Sequence, residues 1–312
     1  MSHIMIIKFL EEVYPLNLID IGCREDLDPK WEPIKKYLSV VGFDLNKKEC
    51  ERLSGMYNPF FSSKYLPYAI AERNGKKKLY KTNSPYCWSL LEPNLKWLRR
   101  LSFGNLFEST GTEKIETLTL EKIPEIKHID ADIIKIDTQG MELPILKRAG
   151  SVLEKAFYVE TETGFLESYF GETTYSQIDQ FMRSKNFMLF DINTDHRVPR
   201  KNIFKNNSKG EQILWCEATW LKDYVTLYNN KMLNGKNISR NKVLKALILC
   251  ALQGCISYGL ELAFLFRKLD FLSKKELDQL KVKENWDVND IKKTGALKLL
   301  LRKINNKYIG NV

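Results

Sequence analysis

The 312-residue sequence contains no uninterrupted apolar run of the roughly 18 residues that a membrane-spanning helix requires. Residues 243–266 come nearest, and Lys245, Gln253, Gly254 and Glu261 break them. No basic, apolar and small-residue series opens the chain, so no export is implied. The six cysteines show neither CxxC nor zinc-type spacing, which excludes a zinc finger and a secreted disulfide scaffold and predicts a reduced, cytoplasmic chain. There is no GxGxxG after the first strand-like run and no GxxxxGK[ST] anywhere, so the usual pyrophosphate cradles are missing. Histidine is scarce as well, with only His3, His128 and His196.

Hydrophobic residues make up 44% of the chain and charged residues 28%, a globular composition. Charge is unevenly spread. Residues 1–224 carry 32 basic and 32 acidic side chains, whereas residues 225–312 carry 17 basic and 7 acidic, the whole of the +10 excess. This predicts two regions: a ligand-binding domain over 1–224 and a basic helical region over 225–312. A basic region suits a polyanion, a phosphate-bearing ligand or an anionic membrane, and equally a set of solvated lysine-rich helices.

Short β-rich runs alternate with helical spacing through the first 220 or so residues. The runs are 16–22 (LNLIDIG), 39–44 (SVVGFD), 65–71 with 78–81 around an Asn74-Gly75 turn, 132–137 (DIIKID), 156–161, 186–192 and 212–219. Apolar strands separated by helices predict a mostly parallel sheet covered on both faces. No long helix separates the last two runs, which predicts an antiparallel pair joined by the polar loop 193–210. Residues 243–251 and 256–269 read as two helices about Gln253-Gly254, apolar on the face packed to the core.

Ligands of open α/β sheets bind at the carboxyl ends of the strands, near the point where strand order reverses. Here those ends carry Asp20 with Gly22, Asp44, Asp137, and Glu160 with Glu162. The loop DIGCRED puts Glu25 and Asp26 where a phosphate would sit, so pyrophosphate is disfavoured. S-adenosylmethionine fits better: it has no phosphate, carries a sulfonium and an ammonium, and has a ribose diol that suits Asp44. The same acids also serve as helix caps in many folds.

On these residues the chain resembles the FkbM-type S-adenosylmethionine-dependent methyltransferases. The fullest match is 133–150 (IIKIDTQGMELPILKRAG), and 18–31, 41–46, 86–94 and 157–191 follow in order, so the resemblance covers about 16–223. It implies a class I methyltransferase (Rossmann-like) seven-stranded sheet with an antiparallel last strand. It also implies cofactor roles for Asp20, Gly22, Asp44 and Asp137, with Cys23 and Leu45 adjoining them. The chain departs from the family in its acidic first loop and in Trp88 before Ser89.

The implied activity is O-methyl transfer to a hydroxyl of a sugar, glycan or related natural product. Such hydroxyls are weak nucleophiles, and a general base helps by roughly 10²–10⁴-fold. Asp137, Glu160 and His196 are the candidates for it; Trp88, Ser89, Glu162 and Arg197 are the acceptor-side candidates, and no metal is required. The acceptor is expected to be a sugar, nucleotide-sugar or lipid-linked glycan, and nucleic acid is disfavoured. Residues 296–304 (ALKLLLRKI) suit a basic interfacial helix at the inner face of the membrane, or a terminal helix packed on the domain or at a homodimer contact. A non-catalytic methyltransferase-fold protein that binds a glycan or membrane partner is the alternative.

Overall fold

The computed structural model describes residues 3–24, 27–56, 59–201 and 211–281. Glu25, Asp26 and the basic stretch 296–304 lie outside the described residues.

Seven strands form the main sheet: β1 (Leu16–Ile21), β2 (Leu38–Phe43), β3 (Ser62–Leu66), β4 (Ile133–Ile136), β5 (Tyr158–Gly164), β6 (Phe187–Asn193) and β7 (Trp215–Lys222). Their order is β3-β2-β1-β4-β5-β7-β6. The β3-β2-β1-β4-β5 portion is parallel. β7 runs antiparallel to β6, as the lack of an intervening helix predicts, and to β5 as well. This is the expected class I topology. Ile19, Val41, Ile134 and Val159 are buried where helix residues Leu143, Leu146, Ile178 and Met182 pack, so β-branched strands and amphipathic helices share one core.

Residues 65–71 do not form the single strand the sequence suggests. Pro67 supplies no amide hydrogen, the main-sheet strand stops at Leu66, and Ala69–Ile70 joins a second sheet with Gly75–Thr82 and Ser109–Leu118. This small sheet is inserted between β3 and β4 and carries the segment that holds Trp88 and Ser89.

The described residues divide into two compact units. One contains the main sheet and its insertions. The other takes in the residues up to Tyr14, Asp28–Tyr37, and those from Tyr228 onward. Within this second unit the helix Arg240–Leu252 is buried along almost its whole length, rather than on the one face expected of an amphipathic helix. Helices His3–Val13 and Ile256–Lys268 pack against it, and Lys274–Leu280 packs on those two. Arg240 binds Glu12 at 2.7 Å and Glu276 at 2.8 Å, which ties three helices together by charge. Gly254 (φ 70°) turns the chain between the two longer helices, where the sequence places the break. Among the described residues no helix is long and apolar enough to cross a membrane.

Candidate active site

The ends of β1 and β4 are pressed together. Asp137 donates its amide hydrogen to the Ile21 carbonyl at 2.8 Å, while Gly22 and Cys23 both donate to the Phe43 carbonyl. Gly22 has φ 87°, and a Cβ placed on it would stand 1.8 Å from the Asp137 carbonyl oxygen. Only glycine permits this turn and this approach. The pinch lies at the switch point, where β2 departs on one side of β1 and β4 on the other.

Above it opens a cavity of about 90 Å³, continuous with solvent. Ile21, Phe43, Ile70 and Met141 contribute apolar walls, Asp44 and Asp137 the carboxylates, and Arg24 the cation among the described lining residues. Gly22, Leu45, Trp88 and Ser89 line it too. The Arg24 guanidinium lies 5.4 Å from the Tyr86 ring centroid and 5.7 Å from that of Trp88. Asp44 is buried and accepts the Asn46 amide hydrogen at 2.6 Å. Burial raises its pKa, and the Asn46 bond and Arg24 oppose that rise.

A deeper row runs across the sheet in register: Asp20, Lys135, Glu160. Lys135 Nζ reaches Asp20 Oδ1 at 3.5 Å. Burial pushes the pKa of Asp20 up, Lys135 pulls against it, and Asp137 and Glu160 add to the rise. Burial disfavours the Lys135 ammonium, but Asp20, Asp137 and Glu160 together hold its pKa above the usual lysine value. Glu160 is buried and accepts the Tyr158 hydroxyl. Cys23 is buried in the loop after β1, its thiol pKa raised by burial first and then by Asp20.

At the level of Asp137 lies Glu162, paired across the strands with Glu217. The amide nitrogen of Gln139 bonds both Asp137 Oδ1 (2.9 Å) and Glu162 Oε1 (3.2 Å). Burial raises the pKa of Glu162 well above the carboxylate range, Asp137 and Glu142 add to this, and Gln139 and Lys135 oppose it. His196 stands apart, stacked on Trp215 with Nε2 3.7 Å from Glu217 Oε1, and it does not line the pocket. Arg197 donates to the Glu211 carbonyl at 2.8 Å. The structure thus gathers Gly22, Asp44, Leu45, Trp88, Ser89 and Asp137 at one cavity, while Asp20, Cys23 and Glu160 are buried and, like His196 and Arg197, do not line it. Among the described residues no group of three or more His, Cys, Asp or Glu is arranged to hold a metal.

Sequence reasoning passed over Lys135, Gln139 and Arg24. A lysine inside the apolar run IIKI was a usable signal, because a cation there requires carboxylates on neighbouring strands. Gln139 gave none, since its partners come from β4, β5 and the segment around Tyr169.

The loop after β4 is fastened by Glu142, whose carboxylate accepts the Thr138 amide (2.9 Å), the Thr138 hydroxyl (3.0 Å) and the Gly140 amide (3.1 Å). Burial raises its pKa to about 7, and that of Glu172, which accepts the Ser168 and Tyr169 amides, is raised to about 7 by burial and by Glu142. Both folded-state values exceed the ordinary 4.5, so the folded chain binds more protons in between. Their contribution to stability is therefore full below about pH 4.5 and lost as pH rises towards about 7. Urea midpoints are expected to fall across that window, and Glu142→Gln is expected to flatten the fall. An unchanged slope in the variant would remove Glu142 from this account.

Three comparisons bear on these observations. A family model described as the methyltransferase FkbM domain matches residues 32–189. Among solved structures, a TehB-like SAM-dependent methyltransferase from Corynebacterium glutamicum is similar at 9% identity and TM-score 0.33, with 70% of this chain and 87% of that one covered. A SAM-dependent methyltransferase from Methanosarcina mazei is similar at 12% identity and TM-score 0.30, covering 71% and 98%. The Burkholderia thailandensis 1,6-didemethyltoxoflavin-N1-methyltransferase gives 11% and 0.30, covering 70% and 78%. No curated protein matches the chain.

Proposed function

This chain belongs to the FkbM methyltransferase family, and from that premise we propose that it methylates a hydroxyl of a sugar, glycan or related natural product. It is an S-adenosylmethionine-dependent methyltransferase acting on a small-molecule acceptor. The preference for a sugar hydroxyl rests on the family.

The residues of the pocket suit the donor. The observation that carries the reading is the pinch at Gly22, because it brings the backbone of one strand end against Asp137 and leaves room above both. Asp44, at the end of β2, is a buried carboxylate suited to a ribose diol, and Arg24 suits the carboxylate of the methionyl end. Bound donor supplies an electrophilic methyl carbon on a positively charged sulfur. The chain supplies alignment and exclusion of water, which account for much of the rate in such displacements. Asp137 takes the acceptor's hydroxyl proton, Glu162 holds that hydroxyl beside it, and Trp88 and Ser89 bound the acceptor's side of the pocket. Glu160, bonded to Tyr158 and level with Lys135, supports the site from below.

The excess positive charge of residues 225–312 favours an acceptor with phosphate, such as a nucleotide-sugar or lipid-linked glycan. For a lipid-linked acceptor, this region would also hold the chain at the inner face of the membrane. Liposome sedimentation tests that part: full-length protein should bind anionic vesicles better than a chain ending near residue 293, and equal binding would discard it.

The central test is mass spectrometry of nucleotide-sugar and glycan pools for an enzyme-dependent gain of one methyl group. Calorimetry with S-adenosylhomocysteine accompanies it. Asp44→Ala should weaken binding by about 10²-fold, as loss of hydrogen bonds to a charged group predicts. Unchanged affinity would remove the ribose assignment.

A further inference from the structure

We propose that Gln139 is a positioning residue for methyl transfer, its side-chain amide donating to Asp137 and Glu162 at once and so holding both carboxylates towards the acceptor. The role in turnover rests on the function proposed above; the clasp itself rests on geometry alone.

Gln139 has φ 56°, a left-handed conformation that is costly for a residue with a Cβ and is kept where the surroundings enforce it. The surroundings do enforce it. The Gln139 carbonyl accepts the Ser89 hydroxyl at 2.6 Å, and Ser89 Oγ in turn accepts the Leu91 amide at 3.0 Å. On either side, the amides of Thr138 and Gly140 are fastened to Glu142.

The side chain is held as firmly. Its oxygen accepts the Tyr169 hydroxyl at 3.0 Å, and its nitrogen faces the two acids. The Tyr169 hydroxyl donates to the amide oxygen and both acids accept from the amide nitrogen, so turning the amide around would lose these bonds. Each amide hydrogen then has its own carboxylate. Asparagine is one carbon short of spanning the two. Glutamate would replace the donor with a fourth acid, beside Asp137, Glu162 and the buried Glu142. The other charged groups facing Glu162 are Lys135 in the row below and Glu217 on β7.

The test uses the full chain and two variants, Gln139→Ala and Gln139→Glu. Carboxyl carbon NMR of the ligand-free protein follows the titration of Glu162, and calorimetry with S-adenosylhomocysteine follows donor-site affinity. Turnover is measured on the pool that the wild type methylates. In Gln139→Ala the Glu162 midpoint should move up by about one pH unit, because a bond to the charged form is lost. Donor-site affinity should stay within about threefold, and kcat should fall at least about 30-fold with its acid limb displaced upward. Gln139→Glu should lose as much turnover despite its matched shape. A merely structural role would lower the thermal midpoint without moving the Glu162 titration. Wild-type kcat in Gln139→Glu, or an unmoved Glu162 midpoint in a folded Gln139→Ala, overturns the proposal. If Gln139→Ala does not fold, Gln139→Glu decides by the same two measurements. Failure of the wild type to bind S-adenosylhomocysteine would instead count against the function, and the titration would still report on the clasp.

Discussion

Asp137→Asn is expected to lower kcat by two to four orders of magnitude while the thermal midpoint stays near that of the wild type. The side chains have the same shape, and the backbone bond from Asp137 to Ile21 is untouched by the change. Asparagine can still accept from the Gln139 amide, so the architecture that holds residue 137 survives. What is lost is a negative oxygen that can take a proton beside the pocket, and a positioned general base is worth roughly 10²–10⁴-fold. Rapid-quench single turnovers would separate this from slow product release. If the variant methylates its acceptor within threefold of the wild-type rate, the proton is being taken elsewhere. Glu162, on the other hydrogen of the same amide, would then be the group to substitute.

Gly22→Ala should have the largest effect on folding. The added methyl would meet backbone rather than a side chain that can rotate away: it would lie 1.8 Å from the Asp137 carbonyl oxygen and 2.8 Å from its carbon. The positive φ adds strain of its own, so β1 and β4 must separate at their ends. A loss of roughly 3–5 kcal/mol is expected, at the upper end for a single substitution. Urea unfolding should show it directly, and S-adenosylhomocysteine binding should disappear well below the unfolding midpoint. A variant with wild-type stability and binding would mean that the strand ends part freely.

Much of this was legible in the sequence because the central strands advertise themselves. Runs such as LNLIDI and IIKI are buried on both faces, so they appear as continuous apolar segments that stop at an acid or a glycine. Ser109–Leu118 gave no such sign. Its first six residues are exposed and it pairs in a sheet with little buried surface, so no apolar stripe marks it. The limits of β6 and β5 were readable only approximately: Asn186 turns with φ 60° just before β6, and β5 continues through Glu162 to Gly164 under the protection of β7. The pocket's acids could be read from strand ends, because alternation and chain direction fix where such residues lie. Which of them share a hydrogen-bond donor could not, since Gln139, Glu162 and Tyr169 meet only after the chain has folded.

The row of Asp20, Lys135 and Glu160 constrains how this pocket can evolve. Replacing Lys135 alone would leave Asp20 and Glu160 without the cation between them, and replacing Asp20 alone would leave an ammonium with diminished compensation. Neither change is a gradual step, so drift at one position should be tolerated only when a matching change arrives at another. Divergent descendants of the same ancestor should therefore keep the row intact or abandon it as a block.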